Sequence, residues 1–145
     1  MPPLTIVFIR TALIYLVIGF GIGALILINK AILFEPRLWQ ILPLHIQIVL
    51  FGWIIQLVFG VAFWIMPRLE NNLYGKVYLA WFSYITLNTG LFLSGISYFL
   101  RFIGLNIFLP YLFILSLILI FISIISFAKY IFPRVRKIII PNLTR

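Results

Sequence analysis

Four long apolar runs, broken only by short basic or polar stretches, fix what this chain can become. In lipid every backbone N–H and C=O must be bonded within the chain, so runs of this length must be helices. The runs extend over residues 4–28, 43–66, 77–100 and 107–132. Each holds about 24 to 26 residues, or about 36–39 Å at the helical rise. That crosses a hydrocarbon core of about 30 Å with modest tilt. With 65% hydrophobic and 9% charged residues, the chain lacks the polar surface a water-soluble domain needs. The expectation is an all-α membrane protein, a single domain over residues 1–145 forming a four-transmembrane-helix bundle. The first run is too long for a signal peptide and is followed by Ile28-Asn29-Lys30 rather than a small-residue cleavage site, so it is read as a membrane helix.

Proline punctuates these limits. Pro43 suits a helix start, and Pro110 falls in the first turn of the fourth run, where a missing N–H does no harm. Pro67 is expected to stop the second helix and Pro133 the fourth. The loops then run over Asn29–Leu42, Pro67–Lys76 and Arg101–Asn106, short enough to force antiparallel neighbours.

The net charge of +9 does not point to nucleic acid, because the basic residues sit between the apolar runs. They set orientation instead. One side carries Arg10, Arg68, Lys76, Lys129, Arg134, Arg136, Lys137 and Arg145; the other carries Lys30, Arg37 and Arg101. The positive-inside rule predicts both termini cytoplasmic, and the expected location is the plasma membrane. Trp39 falls near the outer interface, and Trp64 and Trp81 near the inner one. The tail from Lys129 to Arg145 is expected to lie against anionic headgroups. Arg10 lies just inside the cytoplasmic end and can snorkel. With no cysteine, disulfides and thiolate metal sites are excluded.

The second run carries whatever chemistry the chain has. At about 100° per residue, His45, Val49, Gly52, Gln56, Phe59 and Phe63 share one face. A neutral imidazole at His45 can hold a metal, and Gly52, about two turns deeper, removes a side chain from the same face. Two readings follow: an axial haem ligand with the macrocycle lying beside Gly52, or an interfacial histidine with Gly52 serving helix packing.

The run His-x6-Gly-Trp-x2-Gln-x3-Gly-x3-Trp-x2-Pro-Arg, from His45 to Arg68, resembles short four-helix proteins related to haem-copper oxidase subunit I. The preceding Asn29-Lys30 and Asn88 in the third run are similar too. The resemblance implies haem b held by His45 near the outer face. It also implies electron transfer or gas binding, with quinone or a respiratory-chain component as partner. This chain departs from the full-length subunit in having one histidine, so it is not an oxygen reductase on its own and no copper is expected. Met66 lies about 31 Å along the helix from His45 and cannot supply the second axial bond.

Other residues fit around this site. Lys30, Arg37 and Arg101 share the side of His45 and could neutralise haem propionates, with Glu35 pairing locally to Arg37 or Lys30. Gln56 and Asn88 are expected to satisfy each other at mid-membrane. Gly19 and Gly23 in the first run, Ser83, Gly90, Ser94 and Ser97 in the third, and Ser116 and Ser123 in the fourth allow close helix contact. One histidine per chain suggests a homo-oligomer. A two-fold dimer would bring two imidazoles to one haem; a trimer would imitate the twelve-helix body of the oxidase subunit, with the glycines and the Ser83–Ser97 stripe as contact surfaces. The competing reading is a cofactor-free membrane subunit that packs against a respiratory complex.

Overall fold

Each apolar run is a helix in the computed structural model, which describes residues 2–66, 76–104 and 109–139 and, for residue 109 and residues 136–139, the backbone alone. The helices are Pro3–Ile32, Pro36–Ile65, Val77–Phe102 and Leu109–Ile139. All four are long and apolar enough to cross a membrane. Large side chains such as Val17, Phe92 and Phe121 stand exposed on their outer faces, as lipid-facing residues do. Trp39, Trp64 and Trp81 are exposed as well.

The first two helices are joined more tightly than proline placement suggests. The first continues past Asn29-Lys30 to Ile32 and ends where Leu33 turns left-handed (φ 45°), its N–H donating to the Asn29 carbonyl at 2.8 Å. The buried Asn29 side chain then accepts from the Glu35 N–H at 2.9 Å. The Glu35 carboxylate in turn accepts from the Arg37 N–H at 3.0 Å, capping the next helix. Glu35 is therefore an N-cap that meets the Arg37 backbone, and not the Arg37 guanidinium or Lys30 as its charge suggests. The second helix opens at Pro36 with a 3₁₀ turn, Pro36–Ile41, so only residues 33–35 lie outside helix.

The stop assigned to Pro67 lies outside the described residues. Met66 nevertheless has the extended backbone (φ −63°, ψ 139°) that a following proline imposes. Arg68 and Arg145, the side chains of Arg136 and Lys137, and the start of the fourth run at 107–108 also lie outside them. The expectation for Pro133 is overturned: the fourth helix runs through it to Ile139. Proline here removes one backbone bond, the one to the Lys129 carbonyl, and a membrane helix tolerates that loss where other groups can re-satisfy the freed carbonyl.

The bundle is two antiparallel pairs. The first and second helices meet through glycine. A Cβ on Gly19 would lie 2.8 Å from Val49 Cγ2, one on Gly52 2.7 Å from Tyr15 Cγ, and one on Gly60 2.8 Å from Phe8 Cβ. The third and fourth meet through small polar residues. Ser83 Oγ donates to the Ser123 carbonyl at 2.9 Å, and Ser123 Oγ returns a bond to the Ser83 carbonyl at 2.7 Å. A Cβ on Gly90 would strike the Ser116 carbonyl at 2.9 Å. These are the close-contact surfaces anticipated from the small residues, but they are consumed inside one chain. Gly19, Gly23, Ser83, Gly90 and Ser94 are therefore packed against neighbouring helices of the same chain.

Near the chain termini the core is aromatic. Phe59 and Phe127 stack at 3.9 Å, Phe63 and Tyr130 at 5.3 Å, and Phe8 meets Phe59, Tyr84 and Phe127 edge-on. Toward the other end the core thins to Leu44, Ile48 and Tyr98, with Tyr15 and Phe113 against them.

One feature of the second helix was not legible in its sequence. Residues Ile48–Ile55 form a π-helical stretch, with wide i→i+5 turns. Leu44, Ile48, Gly52, Gln56 and Gly60 are all buried. A spacing of four drifts about 40° per step around an α-helix. Wide turns absorb part of that drift and hold all five residues inside.

Candidate functional site

His45 lies in the first α-helical turn of the second helix, Leu42–Gln47, half-buried against the first helix. Its Nδ1 is 2.9 Å from the Gly19 carbonyl oxygen. A carbonyl only accepts, so the bond assigns the proton to Nδ1 and leaves the lone pair of the neutral ring on Nε2. The imidazole rests on Gly23, where a Cβ would come within 2.7 Å of Cε1. Glycine at 23 is thus what lets the ring reach helix one. Two residues on, Gln47 faces another neighbour: its Oε1 accepts a short hydrogen bond from Ser94 Oγ of the third helix. His45 and Gln47 together tie the start of the second helix to helices on two sides. Sequence reasoning singled out His45 and passed over Gln47, although a buried amide at that depth is itself a signal.

The ring fits one requirement of a metal ligand. A histidine that ligates through Nε2 ordinarily donates its Nδ1–H to a carbonyl or carboxylate, which fixes tautomer and orientation. The surroundings do not fit a macrocycle within a single chain. The space beside Gly52, expected to receive the haem, is filled by the Tyr15 ring. The space over Gly23 is filled by the imidazole itself. Among the described residues no three His, Cys, Asp or Glu side chains come together to hold a metal ion.

Gln56 shares the stripe but not a site. It is fully buried, and neither its amide nitrogen nor its oxygen has a hydrogen-bond partner among the described residues. The expected pairing with Asn88 does not form. Asn88 Nδ2 donates instead to the Tyr84 carbonyl, four residues back on its own helix, at 2.8 Å. The local acceptor is one turn away and needs no second helix to be brought into register.

The three cations expected around propionates divide. Arg37 and Arg101 line one cleft of about 710 Å³ at the connection end of the bundle; its lining includes neither Lys30 nor His45. Gln40, Ser97 and Tyr98 give it further polar atoms, and Phe102, Pro110 and Phe113 apolar lining. Tyr98 and Phe113 meet edge-on at 5.7 Å, bracing the third helix against the fourth. Lys30 is exposed at the end of the first helix.

At the opposite end Arg134 departs most from its expected place. It was assigned with the basic tail to the headgroups, yet it is 1% exposed. Because the helix continues through Pro133, Arg134 falls on the same inner face as Phe127 and Tyr130. Its Nη1 donates to the Phe63 carbonyl at 3.3 Å, in the last turns of the second helix. Its guanidinium lies over the Tyr130 ring at 4.6 Å and the Phe63 ring at 5.5 Å. A cation at a helix C-terminus complements the helix dipole, and the two ring faces partly replace lost water.

Among the described residues the fold is all-helical, and its four helices long and apolar enough to cross a membrane are those of a multipass membrane protein. No family model, no curated protein and no solved structure matches this chain.

Proposed function

We propose that this chain is a plasma-membrane protein with both termini cytoplasmic, related to haem-copper oxidase subunit I, that binds haem b through His45 as a homo-oligomer. The observation that carries the reading is the Nδ1–Gly19 carbonyl bond, which leaves Nε2 as the donor nitrogen. When bound, haem supplies one-electron chemistry or a gas-binding position. The protein's part is to orient the imidazole and hold the Nδ1 proton on the Gly19 carbonyl. Tyr15 blocks the bed beside Gly52 and one chain offers a single histidine, so the remaining wall of such a site has to come from a second copy. That requirement supports a dimer or trimer meeting at the His45 edge rather than through Gly19, Gly23 or the serine stripe.

A second reading rests on the same contact seen differently. The Gly19 carbonyl and Gly23 account for His45 as an interhelical tie that needs no cofactor. This favours a cofactor-free subunit that packs against a respiratory complex. An absorption spectrum of protein purified from haem-replete cells separates the two. The haem reading requires a Soret band that disappears in His45→Ala. A colourless protein that takes up no added haemin would leave only the second.

A further inference from the structure

The cleft between the second, third and fourth helices holds two guanidinium groups from different elements. Arg37 stands in the opening 3₁₀ turn of the second helix and Arg101 in the last turn of the third. Both are exposed to the cleft mouth, and among the described residues neither meets a carboxylate: the nearby Glu35 is used on the Arg37 backbone. Two like charges lining one cleft repel each other, and an anion between them relieves that repulsion. The planar donor fork of arginine matches the oxygens of a phosphate. Gln40, Ser97 and Tyr98 add neutral polar groups, while Phe102, Pro110 and Phe113 add apolar lining.

We propose that this cleft binds a phosphate-bearing anion, its charge held between Arg37 and Arg101. The cleft lies at the end of the membrane-crossing helices, where lipid phosphates lie, and its apolar lining residues suit the glycerol and first acyl carbons of an anionic glycerophospholipid. The same two arginines would take free inorganic phosphate from solution, so the source is a matter for the test. The site does not depend on haem, since the lining leaves out His45.

Native mass spectrometry of the full chain, released from nanodiscs of phosphatidylcholine with and without phosphatidylglycerol, decides it. The wild type should retain phosphatidylglycerol over phosphatidylcholine by roughly tenfold or more, the scale of two basic contacts. Arg37→Gln/Arg101→Gln should lose that preference, Arg37→Lys/Arg101→Lys should keep part of it, and Arg10→Gln, far from the cleft, should keep all of it. Helical circular dichroism of each variant confirms that folding is retained. A parallel titration with millimolar inorganic phosphate identifies the source: protection against thermal unfolding that vanishes in the double glutamine variant marks a soluble anion. No preference for phosphatidylglycerol together with no effect of phosphate overturns the proposal, as does a preference that survives in the double glutamine variant. His45→Ala should leave the preference intact, so failure of the haem reading and failure of this site are told apart.

Discussion

The two ends of the bundle handle arginine in opposite ways. At the terminal end Arg134 is enclosed, with a helix-end carbonyl and two aromatic faces around it. At the connection end Arg37 and Arg101 stand open on a cleft. The difference follows from what surrounds each charge. The terminal end has a dense aromatic core, Phe8, Phe59, Phe63, Phe127 and Tyr130, whose ring faces can receive a cation. The connection end has a thinner core and leaves room for something other than protein. The buried charge at the terminal end is a fixed part of the fold; the exposed pair at the connection end is available to a ligand.

Replacing the enclosed arginine is the sharpest way to break this comparison. Arg134→Ala removes a charge-assisted bond and two cation–π contacts, and thermal unfolding in detergent should show a loss of about 3 kcal/mol. Arg101→Ala, at the open end, should change stability by no more than about 0.5 kcal/mol. Equal losses would mean that the two ends do not differ as described.

Glycine contacts give the next effect. In Gly90→Ala the new Cβ meets a backbone carbonyl, which cannot swing aside, so about 2 kcal/mol of stability should be lost. Gly21, with nothing within 4 Å, provides the contrast: Gly21→Ala should be neutral or raise stability by up to about 1 kcal/mol through helix propensity.

Between the two ends lies Gln56, buried with neither amide atom bonded. Gln56→Leu removes that unmet demand at similar volume and should raise stability by about 1 kcal/mol. A clear loss instead would show that the amide has a partner, such as an internal water. The smallest effect is expected at Lys30, outside both the cleft and the His45 contact, where Lys30→Gln should leave stability within about 0.5 kcal/mol of wild type.

Much of this arrangement was legible before any coordinates. The four runs became four helices because lipid leaves an apolar segment no other way to bond its backbone. The third and fourth helices meet at Ser83, Gly90, Ser116 and Ser123, as their spacing suggested. The face from His45 to Phe63 does point inward, with Gly52, Gln56, Phe59 and Phe63 buried. The failures share a cause. Pro133, Glu35 and Arg134 were each read by residue type: a breaker, a partner for a cation, a headgroup anchor. Glu35 and Arg134 are decided instead by which groups lie opposite them in space, and Pro133 stands inside a helix that continues through it.

The same division applies to the candidate sites. Composition and spacing alone determined the four apolar helices and the singular position of His45, because those follow from periodicity and from the solvent; the start of the second helix and the end of the fourth did not follow. Only the tertiary structure decided that Tyr15 takes the space beside Gly52, that the Gly19 carbonyl holds Nδ1, and that Arg37 and Arg101, 64 residues apart in sequence, line one cleft while Lys30 stays apart. Helix register and crossing place these groups, and both are set by side-chain packing between segments that no single run of sequence encodes.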